Sequence, residues 1–205
     1  MFEQTPATPR LRVAVFLAIV AGALAMRVLP YVLHTAFGMS IEYAYSVFPW
    51  NFSPLYAIAI FGGAHFSRRL AIVVPVVIFF ISDLAIASLM ETGWGSYRDQ
   101  PFTYAAFAVL AMCGMPLRGE RSIIDIAIAG LGGAILFFLI SNFGVWLSGG
   151  GFYHPRTPVG LLLCYRDGLP FLAPTLASLA LFLPVLFSPL VVARETRRSE
   201  PQPVM

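Results

Sequence analysis

Apolar residues along this chain form long continuous stretches, separated by polar or turn-rich punctuation: "HTAFGMSIEYAYSVFPWN", "SRR", "ETGWGSYRDQP", "RGER" and "SGGGFYHPRTPVG". Continuous runs favour helices over membrane strands, whose two faces alternate in character. Six apolar segments result, approximately 12–33, 54–66, 70–90, 102–117, 122–147 and 169–193. A helix needs about 20 mainly apolar residues to cross a hydrocarbon core of roughly 30 Å, and tilt or breaks shift that figure. The pattern predicts an all-α integral membrane protein, a six-helix transmembrane bundle over 12–193 with short tails at 1–11 and 194–205.

The second segment, "NFSPLYAIAIFGGAHF" (51–66), is short for a span. Asn51 or Ser53 can cap its helix, and Pro54 can occupy the first turn, where its missing N–H costs nothing. Gly62 and Gly63 allow a bend or a close approach by a neighbouring helix.

Composition agrees with a membrane protein: hydrophobic residues make up 59% and charged residues 11%, and mean hydropathy is +0.80. Basic residues set the orientation, because short loops rich in Lys and Arg stay in the cytoplasm. Arg10 and Arg12, Arg68 and Arg69, Arg118 and Arg121, and Arg194, Arg197 and Arg198 all fall on one side of a six-span chain. Both termini are therefore expected in the cytoplasm and the protein in the cytoplasmic (inner) membrane. An "ALA" after the leading arginines resembles a signal-peptide cleavage site, but the apolar run resumes beyond Arg27, so an uncleaved first helix is expected.

Several classes of chemistry receive no support. The net charge of +3 reflects the basic cytoplasmic side, and no basic stripe suggests a nucleic-acid partner. There is no Walker loop, so any ATP-driven step would need another chain. Cys113 and Cys164 fall near opposite faces and are expected as free thiols. The histidines sit at the ends of different segments, so neither a metal cluster nor a cofactor is expected. No hydrolase or metalloprotease motif surrounds Ser82-Asp83 or His154, so the chain is not read as an enzyme.

An ionisable group inside a span costs several kcal/mol unless paired or hydrated, which marks Arg27 and Asp83. Counting from the cytoplasmic ends of their helices puts Arg27 about 22 Å and Asp83 about 20 Å up, close enough in level to form an ion pair. Such a pair either only fixes helix register or also faces a ligand. More polar and aromatic residues gather at the outer level, among them His34, Tyr43, Tyr45, Trp50, Trp94, Tyr97, Asp99, Tyr153 and His154. An interfacial aromatic belt accounts for part of these, but not for Asn51 before a proline or Asn142 within "FFLISNFGVWLSGGG". Asn51, Asp83, Asn142, Trp146, Tyr165 and Arg166 are the expected ligand-binding residues, with Arg27 setting the charge of Asp83. His65 and Asp125, beside cytoplasmic arginines, read as interfacial anchors.

On the first helix Ala14, Ala18 and Gly22 repeat every four positions, and Ala21 and Ala25 form another such row; rows of small residues let helices approach closely. The stripe packs either inside the bundle or against another membrane subunit.

"RVLP", "NFSPLYAIAIFGGAHF", "VPVVIFFISDL", "SNFGVWLSGG" and "PRTPVGLLLCYRDGLPF" together resemble an uncharacterised family of small bacterial six-span membrane proteins described as hypothetical transport proteins. More distantly, the chain is similar to the substrate-binding S-components of energy-coupling-factor transporters. That resemblance implies a subunit that captures vitamin- or cofactor-like molecules from outside and docks a transmembrane coupling partner through an AxxxA stripe. Ala14-xxx-Ala18 and Ala21-xxx-Ala25 match the stripe, and the ATPases would be separate proteins. Two functions follow as expectations: a substrate-capture subunit with an outward-facing pocket for a small molecule, or a structural assembly protein of the cell envelope without one.

Overall fold

The computed structural model describes residues 8–40, 50–90, 98–149 and 154–192. Tyr43, Tyr45, Trp94, Tyr97 and Tyr153, the tail at 194–205 and the first seven residues of the 1–11 tail lie outside the described residues.

Six α-helices are present among the described residues: α1 (Pro9–Phe37), α2 (Leu55–His65), α3 (Arg68–Leu89), α4 (Gln100–Gly114, extended by a 3-10 turn at Met115–Leu117), α5 (Ile123–Ser148) and α6 (Pro158–Leu186). All but α2 are long and apolar enough to cross a membrane, α4 together with its 3-10 turn, and the protein is an all-α, multi-pass membrane protein.

The helix limits have local causes. Thr8, Ser67, Ser122 and Thr157 each accept a backbone N–H at the start of their helix, supplying one of the acceptors that a helix start lacks. Ser122 and Asp125 form a reciprocal capping box, so Asp125, expected as an interfacial anchor, has a specific task. Gly38 and Gly149 end α1 and α5 in the left-handed conformation.

One element differs from the sequence reading. Helix α6 begins at Pro158 rather than near 169, because Tyr165, Arg166 and Asp167 occupy partly or fully exposed positions of a continuing helix and do not interrupt it. Helix α2, short as the 54–66 segment suggested, has 11 residues, or about 16 Å at 1.5 Å per residue, roughly half the hydrocarbon thickness.

That short helix is the centre of the bundle. Every residue from Leu55 to Ala64 is buried, as befits a helix apolar on all sides, and α3, α4 and α6 pack around it. Glycine makes the closest approach possible. A Cβ on Gly63 would collide with the backbone oxygen of Ala111, and one on Gly114 with that of Ile60, so α2 and α4 meet backbone to backbone.

The end of α2 is tied down by the turn after α4. Arg118 Nε donates to Gly63 O and Arg118 Nη2 to Phe66 O, each at 2.8 Å. Arg121 Nη2 lies 2.7 Å from His65 Nε2. Because His65 Nδ1 faces Phe61 O at 3.0 Å, the neutral ring donates there and accepts from Arg121. His65 therefore belongs to a packed closure between α2 and the segment after α4.

Candidate functional site

Because α2 ends near the start of α3 and runs only about 16 Å against about 33 Å for α3, its first turn stops about halfway along the neighbouring span, a level that lipid would otherwise surround. Non-helical backbone at that depth is tolerated only when buried in protein or lining a cavity. The segment 50–54 meets the second condition, with Trp50, Asn51, Phe52 and Ser53 lining a cavity. The Ser178 hydroxyl on α6 donates to Ser53 O, and Leu55 N–H donates to Ser53 Oγ at 3.3 Å. Ser53, not Asn51, thus serves the helix start. Asn51 itself is left-handed, with φ 67°, a conformation that asparagine tolerates better than most residues.

Beside this segment are two hollows that share Arg27, Asn51, Tyr56 and Phe79. The smaller, of about 150 Å³, is also lined by Tyr31, Trp50 and Phe107. The larger, of about 310 Å³, extends past Asp99, Gln100, Thr103, Ser141 and Asn142 to Phe171. Its volume falls at the lower end of small-molecule sites, which run from about 300 to 1,000 Å³. Aromatic rings form much of the wall: Tyr56 stacks on Phe107 at 5.5 Å and meets Phe137 edge-on at 4.9 Å, with Phe79 4.9 Å from Phe107. A groove of about 670 Å³ between α5 and α6 is larger, but its lining, from Ile123 and Leu131 to Leu183, is almost wholly apolar and belongs to the surface that lipid covers.

Arg27 and Asp83 meet, and the geometry gives them different roles. Arg27 Nη2 donates to Asp83 Oδ1. Asp83 Oδ2 accepts from Gln100 Nε2 at 2.8 Å and from the Tyr104 hydroxyl at 3.0 Å. The carboxylate is 2% exposed, and donors from α1 and α4 occupy both its oxygens. Asp83, one of the expected ligand-binding residues, thus stands behind the wall and lines neither hollow. Arg27 is the member of the pair that reaches the hollows, its side chain 26% exposed and its guanidinium carbon 3.6 Å above the Phe79 ring centroid. Such stacking on a partly desolvated ring stabilises the cation by about 0.5–2 kcal/mol.

The asparagines also differ. The Asn142 amide donates to Phe138 O at 2.8 Å, and its oxygen fills the space left by Gly168, where a Cβ would overlap it. One face of Asn142 is therefore locked between α5 and α6 while the residue still borders the larger hollow. Asn51 is exposed, and its side chain makes no hydrogen bond among the described residues.

Trp146, Tyr165 and Arg166 line neither hollow. Trp146 Nε1 donates to Pro155 O at 3.0 Å, and the Tyr165 hydroxyl donates to Leu139 O at 3.1 Å. Arg166, 67% exposed, pairs with Asp167, which also meets His154 at 3.1 Å. Trp146 and Asp167 fasten the segment at 154–157 onto α5 and α6, and Tyr165 ties α6 to α5, a rim separated from the hollows because α6 starts earlier than expected. Sequence reasoning missed Gln100 and Tyr104. Their four-residue spacing puts both on one face of α4, a signal that gains meaning only once Asp83 is opposite.

Ala14, Ala18, Ala21 and Ala25 are all exposed, and a Cβ on Gly22 would meet nothing within 4 Å. The stripe faces away from the bundle. Both cysteines are free, Cys164 donating to Asn142 O at 3.4 Å. Among the described residues no three His, Cys, Asp or Glu side chains gather to hold a metal ion.

Residues 7–202, nearly the whole chain, match the model of a protein family described as of unknown function, DUF6580. The chain belongs to that family. No curated protein and no solved structure matches it. Membership in DUF6580 brings no assigned activity, so a functional reading rests on the hollows and their lining.

Proposed function

We propose that this DUF6580 protein is the substrate-capture subunit of a small-molecule uptake system, holding its ligand in the joined hollows above α2. The observation that carries this reading is the convergence of Arg27, Asn51, Asn142 and an aromatic wall on a cavity in the middle of a membrane bundle. Small-molecule sites have this composition, mostly apolar with a few convergent polar groups. An envelope assembly protein would need packing faces only. The counting of basic residues puts both termini in the cytoplasm, with the chain crossing the cytoplasmic membrane six times. The hollows then open outward, and the Arg118–Arg121–His65 closure seals the inner side.

The exposed stripe of Ala14, Ala18, Ala21, Gly22 and Ala25 offers a transmembrane coupling partner a face without bulky side chains, and separate ATPases would supply the energy. Release toward the cytoplasm would follow movement of the bundle against that partner.

The test is purification of the full chain from its host in mild detergent, followed by mass spectrometry of small molecules released on denaturation. The expected result is one compound recovered at a constant ratio to protein and lost in Asn51→Gly. Repeated recovery of empty protein from several preparations would leave the assembly reading in its place.

A further inference from the structure

The charges around the larger hollow are unevenly committed. Asp83 has both oxygens engaged. Its partner has not: a guanidinium carries five N–H donors, and among the described residues only one Arg27 nitrogen makes a hydrogen bond. Asn51 adds an uncommitted amide to the same wall. Arg27 and Asn51 therefore present donors to the hollow, and Asp83 balances the formal charge of Arg27.

Asp99, at the start of α4, lines the same hollow. It is partly buried and makes no ion pair among the described residues. A simple anion would set its charge beside that carboxylate without compensation. A simple amine would offer the donors of Arg27 and Asn51 no acceptor. A molecule bearing both charges satisfies both walls.

On the reading that the hollows hold a small molecule, we infer that the occupant is an amino-acid-like zwitterion. Arg27 and Asn51 take its carboxylate, Asp99 takes its ammonium, and a flat apolar side group lies against Tyr56, Phe79 and Phe137.

Equilibrium binding to the full chain in lipid nanodiscs tests this with three probes: L-phenylalanine, 3-phenylpropionate, which lacks the amine, and 2-phenylethylamine, which lacks the carboxylate. L-Phenylalanine is expected to bind at least about tenfold more tightly than either half-ligand, the equivalent of 1.4 kcal/mol. Asp99→Asn should weaken L-phenylalanine about tenfold or more and leave 3-phenylpropionate unchanged or tighter. Asn51→Gly, which keeps the left-handed backbone accessible, should weaken both L-phenylalanine and 3-phenylpropionate. Neither substitution touches the buried Arg27–Asp83 contact, and a monodisperse elution profile checks that each variant is folded. Equal binding of the half-ligands, an unchanged Asp99→Asn, or no binding of any probe overturns the inference. A co-purifying small molecule of a different charge class would overturn it while leaving the capture reading intact; consistently empty protein would sink both.

Discussion

Arg27 and Asp83 illustrate how one ion pair divides its members, one enclosed in the packing and the other at the wall of the hollows. Removing either partner strands a desolvated charge, at a cost of about 3–5 kcal/mol, so such variants report on folding before they report on binding. Asp99 is the more informative residue. Burial raises its carboxyl pKa above the ordinary value, so the folded protein binds this proton more tightly than the unfolded chain does. Ionising Asp99 therefore disfavours the fold, and stability is lost as pH rises through the carboxylate range. The expected outcome is that ligand-free Asp99→Asn melts above the unsubstituted protein at about pH 8, by a few degrees at most. The gap should narrow on acidification and close below the ordinary carboxylate pKa of about 4, where folded and unfolded chains both carry the proton. Thermal unfolding in detergent at several pH values measures this; a gap that widens on acidification would contradict the assignment.

Helix α2 governs the next scale. Its 11 residues are too few to span the membrane, and every neighbour that encloses it does so by direct packing. Where it stops short, irregular backbone at 50–54 takes its place and the hollows open beside that segment. The contact between Gly63 and Ala111 has no room for a methyl group. Gly63→Ala is thus expected to force α2 and α4 apart and to destabilise the protein by about 1–3 kcal/mol, the usual range for overpacking. Gly22→Ala meets open space and serves as the control: removing a helix-interior glycine there should be neutral or stabilising by up to about 1 kcal/mol. Denaturant titration of both variants separates a packing effect from a general glycine effect. Comparable losses would mean that α2 and α4 do not meet this closely.

At the scale of the whole molecule, the two ends of α2 face different surroundings. The closure lies where Arg118 and Arg121 bind the last turn of α2, and the polar lining lies beyond its first turn. Thr103 borders the larger hollow on the side away from that closure. In a background carrying Cys113→Ser and Cys164→Ser, Thr103→Cys is expected to react with a membrane-impermeant maleimide added outside intact cells. An excess of bound ligand should slow the reaction. Labelling confined to inverted vesicles would reverse the proposed orientation.

The apolar runs by themselves determined the helical class, the membrane environment and the approximate extent of α1, α2, α3, α4 and α5, because backbone groups surrounded by lipid must be satisfied within the segment. They also marked Arg27, Asp83, Asn51 and Asn142, since polar groups in apolar runs are costly enough to stand out. Which way those groups turn was decided only by tertiary structure. Asp83 withdraws from the hollow because Gln100 and Tyr104, 17 and 21 residues away in the chain, complete its hydrogen bonds. Trp146, Tyr165 and Arg166 join a separate rim because α6 continues through a polar stretch that resembles a loop. Local pattern records the cost of burying a group; the partner that offsets that cost comes from another helix.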